Sequence, residues 1–121
     1  MRLQQIDPDI FISAQISVEN IKTLAEAGFK TIICNRPDQE EPHQPDFSII
    51  QAAAHAHGIT AHHIPIVPPT IKQTDIETMK TILKTASKPL LAYCHHGTRS
   101  IHLYRLACPS SLASMDQKNK P

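Results

Sequence analysis

Four short apolar runs, at residues 9–13, 30–34, 59–66 and 89–93, alternate along the chain with segments of helical periodicity. No other feature narrows the fold as far. A strand reaches a parallel neighbour only through a long crossover, usually a helix. The alternation therefore predicts an α/β domain of three layers, with a mostly parallel sheet of four to five strands and helices on both faces. The run at 30–34 is rich in β-branched residues, as suits a buried strand. Pro65 marks the run at 59–66 as an edge strand or a strand end. Ser17 is the expected N-cap of a first helix carrying Ile21, Leu24 and Ala25, closed by Gly28. A second helix is expected over 47–57, with Phe47, Ile50 and Ala54 inward and Gly58 after it. Thr74 and Glu77 read as the capping box of a third, carrying Ile76, Met79 and Leu83. The fourth is expected to begin near Ser100 and to stop at Cys108-Pro109.

A length of 121 residues is one domain's worth, assigned to 1–108, with a polar and poorly patterned tail at 109–121 expected to be disordered. Twelve Lys and Arg against eleven Asp and Glu give a net charge of +1, without the basic excess of a general nucleic-acid binder. Five aromatic residues and no Trp make a poor base-stacking platform. No apolar run reaches the ~18–20 residues of a membrane span, and the N-terminus lacks the apolar core of a signal peptide. Three cysteines cannot all pair within the chain, so a reduced, cytoplasmic protein is expected.

Chemistry concentrates where the last strand ends. Cys94 follows the apolar run, Gly97 and Arg99 come three and five residues later, and a helix follows. Glycine permits a sharp turn in which successive N–H groups face inward as an anion nest. The helix that follows adds the positive end of its dipole. Arg99 is placed to close the bowl with a planar fork. A cysteine on the floor of such a bowl is expected as the thiolate, a nucleophile beneath an oxyanion cradle. The bland alternative is a buried strand-end cysteine beside a surface arginine. The order strand, Cys, Gly, Arg, helix favours the site, and a small anionic or phosphorylated molecule is its expected partner.

Residues 93–100 (Tyr-Cys-His-His-Gly-Thr-Arg-Ser), residues 33–41 (Ile-Cys-Asn-Arg-Pro-Asp-Gln-Glu-Glu) and residues 63–66 (His-Ile-Pro-Ile) together resemble the phosphatase-like domain of bacterial beta-lactamase hydrolase-like proteins. The resemblance spans about residues 5 to 106. It implies a fold like that of the dual-specificity and tyrosine phosphatases, and some members of the family are labelled sulfurtransferases. It implies Cys94 as nucleophile and Arg99 as the anion-binding arginine. The cradle would be the amides of residues 95–99, which include His95, His96, Gly97 and Thr98. Ser100 would steady the thiolate or the leaving sulfur.

Three departures qualify that expectation. Cysteine phosphatases of this fold place five residues between Cys and Arg, and here there are four, as in single-domain rhodaneses. The loop after the third strand, where dual-specificity phosphatases carry an acid for the leaving oxygen, reads Ile-Val-Pro-Pro-Thr-Ile over 66–71. Asp38 or Asp75 would have to serve instead, and sulfur transfer needs no acid. The chain also ends about twenty residues after Arg99, earlier than such domains usually do, which predicts a partly uncovered sheet and low stability. The expected function is a cysteine-dependent phosphatase-like hydrolase. The alternatives are a sulfurtransferase carrying a Cys94 persulfide and a non-catalytic anion-binding or redox module.

Other residues carry weaker signals. Eight histidines include the pairs His62-His63 and His95-His96, but none has the spacing of a strong metal site, so neither metal nor cofactor is expected. Cys34 ends a strand expected to lie near Cys94 and is a candidate redox partner, against the plainer reading of a small buried residue. Three prolines and many polar residues make 35–46 a long loop, of the kind that is more often functional than idle. From it Arg36 is a candidate anion ligand and Asp38 a candidate acid. Glu40 and Glu41 read as solvated loop charges.

Overall fold

The computed structural model describes residues 1–108, so the expected tail at 109–121 lies outside the described residues. In chain order the elements are β1 (Gln4–Asp7), β2 (Ile10–Ser13), α1 (Val18–Glu26), β3 (Thr31–Cys34), α2 (Phe47–Ala56), β4 (Thr60–His63), α3 (Gln73–Thr85), β5 (Leu90–Tyr93) and α4 (Thr98–Ala107). The sheet runs β1-β2-β5-β3-β4. Strands β2, β5, β3 and β4 are parallel, and β1 pairs antiparallel with β2.

Strand β1 is absent from the sequence reading. It is polar and half exposed, and a strand at the edge carries no core-facing pattern to betray it. Strand β4 is the opposite edge, as Pro65 implied. Helix α3 starts at Gln73, before the expected capping box, because Asp75 Oδ2 accepts the N–H of Lys72 at 3.1 Å. Ser17 caps α1 as expected, through a reciprocal arrangement with Asn20. Helix α4 starts two residues earlier than expected, at Thr98.

Side-chain alternation divides the core into two layers. Ile10, Ile12, Ile33, Leu90 and Ala92 pack on Met79 and Ile82 of α3 and on Leu103 and Tyr104 of α4. On the other face Ile32, Cys34, Leu91 and Tyr93 pack on Ile21 and Leu24 of α1 and on Ile50 and Ala54 of α2. Every residue of β3 and β5 is buried. The centre of the sheet is therefore covered on both faces, while the edge strands β1 and β4 stay partly exposed.

This connectivity locates the ligand crevice. Strand β5 leads into α4 on one face, while its neighbour β3 leads into α2 on the other. Adjacent strands whose connections part to opposite faces leave a gap at their carboxyl ends, the usual ligand position in such sheets. The loops that begin at Cys94 and Asn35 flank that gap.

Candidate active site

Cys94 follows the last residue of β5 and is wholly buried at the floor of the turn into α4. Its Sγ accepts the N–H of Gly97 at 3.0 Å. Gly97 makes this turn with φ of +98°, in the left-handed region. A Cβ there would stand 3.2 Å from Ile12 Cγ2, so the close approach of the loop to β2 also requires glycine. The carbonyl of His95 is tied to this side as well, accepting the N–H of Gln15 at 3.2 Å. Among the described residues, the N–H groups of His95, His96, Thr98, Arg99 and Ser100 have no hydrogen-bond acceptor. Those of Thr98, Arg99 and Ser100 belong to the first turn of α4, where a helix leaves its amides unpaired. Open amides, a dipole end and a sulfur atom thus converge, as the sequence reading expects.

Asn35 locks this loop to the rest of the sheet. Its Nδ2 donates to Ile64 O at 3.0 Å, which turns Oδ1 toward Ser100. Ser100 Oγ donates its one proton to that oxygen at 2.8 Å. Ser100 is therefore an anchor in this structure, and its hydroxyl proton is committed to Asn35, not to the sulfur.

The long loop 35–46 brings charge to the site, through residues other than those expected. Glu40 accepts from Arg99 NH1 on Oε2 at 3.0 Å and from Arg99 NH2 on Oε1 at 2.8 Å. The same Oε1 accepts from Arg36 Nε at 2.9 Å. Two guanidinium groups hold the Glu40 carboxyl down to about 2, the hydrogen bonds from Arg99 contributing most. In return Glu40 pushes Arg99 further up, so its charge is permanent. Arg36 is buried and also donates to Gln15 Oε1 at 3.1 Å and Glu41 Oε1 at 3.0 Å. It braces the loop and does not project toward an anion, which corrects its expected role. Glu41 in turn contacts Nε2 of His95, whose ring stacks on His96.

Neither candidate acid stands unengaged. Asp38 Oδ1 accepts the N–H of Phe47 at 2.8 Å, at the start of α2, and Asp75 covers the start of α3. Cys34 lies beside Tyr93 in the β3–β5 register, but its thiol points into the α1–α2 layer and donates to Arg36 O at 3.4 Å. Burial pushes the Cys34 thiol up, so it keeps its proton. All three cysteines are free thiols. Beside Arg99, Pro68, Pro69, Ile71, Thr98 and His102 line a largely apolar cavity of about 380 Å³.

Sequence reading missed Asn35 and Gln15 and set Glu40 aside. Their roles depend on partners far along the chain, and no local spacing encodes those. The only signal available was an acidic cluster on a loop already marked as functional.

Residues 2–111 match the family model described as "Beta-lactamase hydrolase-like protein, phosphatase-like domain". The chain belongs to this family. A beta-lactamase hydrolase-like protein of Agrobacterium fabrum is 37% identical over 106 residues, covering 88% of this chain and 25% of that protein. One from Xylella fastidiosa is 34% identical over 107 residues, with the same coverage. The chain thus spans about a quarter of the length of the curated relatives it matches. The crystal structure of a candidate phosphatase from Neisseria meningitidis superposes with a TM-score of 0.76 at 40% identity, covering 83% of this chain and 71% of that one. This beta-lactamase hydrolase-like, phosphatase-like domain has a cysteine-phosphatase-like fold.

Proposed function

We propose that this domain hydrolyses phosphate monoesters through a phosphocysteine at Cys94. The observation that carries the reading is the Cys94 sulfur, held by the Gly97 N–H at 3.0 Å beneath a ring of uncommitted amides beside Arg99. Membership of a phosphatase-like family and the likeness to the Neisseria protein support it.

In the first half-reaction the Cys94 thiolate attacks phosphorus. The S–P bond forms, the P–O bond to the leaving group breaks, and the departing oxygen takes a proton from solvent. Water then attacks phosphorus, the S–P bond breaks, and inorganic phosphate leaves with the thiolate restored. The free amides of His95, His96, Thr98 and Arg99 and the Arg99 guanidinium stabilise the equatorial oxygens, where charge spreads during phosphoryl transfer, while the Gly97 N–H holds the sulfur. His95, His96, Gly97 and Thr98 act through their backbone and shape the bowl. The cavity beside Arg99 receives the organic part of the ester.

The test is peptide mass spectrometry after brief exposure to an activated aryl phosphate, and separately to thiosulfate. A phosphoryl group on the Cys94 peptide is expected. Cys94→Ser should abolish turnover, and Arg99→Ala should lower it by roughly 10²–10³-fold. A cyanide-labile sulfur on that peptide, without phosphorylation, would replace this reading with sulfur transfer, which the four-residue spacing between Cys94 and Arg99 favours. An unmodified Cys94 in both samples would leave a non-catalytic anion-binding module.

A further inference from the structure

We propose that Glu40 is the positioning residue that presents Arg99 to the substrate, an inference that rests on the phosphatase reading of the Cys94 loop. A guanidinium has five N–H donors in a plane. Both hydrogens of Arg99 NH1 are spent, one on Glu40 Oε2 at 3.0 Å and one on Ile66 O at 3.1 Å. One hydrogen of NH2 is spent on Glu40 Oε1 at 2.8 Å. The carboxylate thus covers the end of the guanidinium. What it leaves is the side edge, formed by Nε–H and the second NH2 hydrogen, which have no acceptor among the described residues. Two parallel donors on one edge form the bidentate fork that recognises a phosphoryl group. Glu40 and an oxyanion therefore use different edges of Arg99. Glu40 fixes the plane and the substrate takes the remaining edge.

The chain holds Glu40 for this task. Arg36, buried behind it, grips the same Oε1 at 2.9 Å. The N–H of Glu40 is held by Gln44 Oε1 at 3.0 Å, while Gln44 Nε2 ties back to Pro37 O at 2.8 Å. Gln39, the residue before it, has φ of +62°, a left-handed conformation that costs a non-glycine residue about 1–2 kcal/mol. Such strain persists only where surrounding contacts enforce it. The loop is braced on both sides of one carboxylate, and that carboxylate faces the arginine across the crevice.

The experiment compares Glu40→Gln, Arg99→Ala and the double variant with the unmodified chain. It uses p-nitrophenyl phosphate turnover and the affinity for tungstate, a tetrahedral oxyanion. Glu40→Gln preserves shape and removes the charge. Misalignment of a group that acts in the transition state is expected to lower kcat by roughly 10²-fold with KM little changed. In the Arg99→Ala background the same substitution should cost nothing further, because the residue it positions is gone. An equal loss in both backgrounds would overturn the proposal and leave Glu40 a general brace of the fold. Tighter tungstate binding by Glu40→Gln would also overturn it, making Glu40 a competitor for the anion site. If the unmodified chain neither binds tungstate nor turns over the ester, the phosphatase reading itself has failed and the proposal goes with it.

Discussion

Ser100 Oγ donates to Asn35 Oδ1 at 2.8 Å across 65 positions of sequence, and both residues are wholly buried. This contact binds the first turn of α4 to the end of β3, and so sets the height of the Cys94 loop above the sheet. Asn35→Ala would orphan the Ser100 hydroxyl and Ile64 O together. At ~1–3 kcal/mol for each buried group left unpaired, the loss of stability should total about 2–6 kcal/mol. Ser100→Ala should cost less, because it orphans one oxygen. Urea denaturation of the two singles and the double gives the coupling, expected to exceed about 0.5 kcal/mol. Strict additivity would mean that the hydrogen bond does not link the two elements.

Gly97→Ala is expected to damage the site more than the fold. Its φ of +98° disfavours any L-residue, and the new Cβ would lie 3.2 Å from Ile12 Cγ2. Strain of about 1–3 kcal/mol should push the loop away from β2. The Gly97 N–H would then leave the Cys94 sulfur. Melting should remain cooperative while tungstate binding and turnover fall together. A variant with full activity would show that the loop tolerates a shift the packing argues against.

Acid stability should carry the signature of Glu40. Its folded value of about 2 lies below its ordinary 4.5, so the unfolded chain binds this proton first. The stability contributed by the Glu40–Arg99 and Glu40–Arg36 pairs is present above pH 4.5 and is lost as pH falls toward about 2. Glu40→Gln has no such proton to take up. The stability gap between the two chains should shrink on acidification through that window, as read by chemical denaturation at stepped pH. A constant gap would mean that Glu40 is not held by its arginines.

Four carboxyls around the crevice are engaged: Asp38 and Asp75 at helix starts, Glu40 between two arginines, and Glu41 on Arg36 and His95. With these four carboxyls committed elsewhere, the rate should depend steeply on the leaving group. A positioned general acid contributes ~10²–10⁴-fold, so kcat/KM for p-nitrophenyl phosphate should exceed that for an alkyl phosphate by about this factor. Equal values would reveal an acid that this arrangement hides, with the Glu41–His95 pair the first to replace.

Local sequence determined the strands β2 to β5, the four helices, the edge position of β4 and the Cys94–Arg99 loop. Each rests on information carried by neighbours: side-chain period, a cap, a proline, or a glycine where φ must be positive. Tertiary structure decided which charges matter. The run Arg36, Asp38, Glu40 and Glu41 reads as one polar stretch, in which Arg36 and Asp38 are the candidates and the two glutamates look like solvated charges. Folding buries Arg36, gives Asp38 to the start of α2, and sets Glu40 against an arginine 59 positions away. The worth of a charge depends on its partners and on its distance from water, and only the folded chain supplies either.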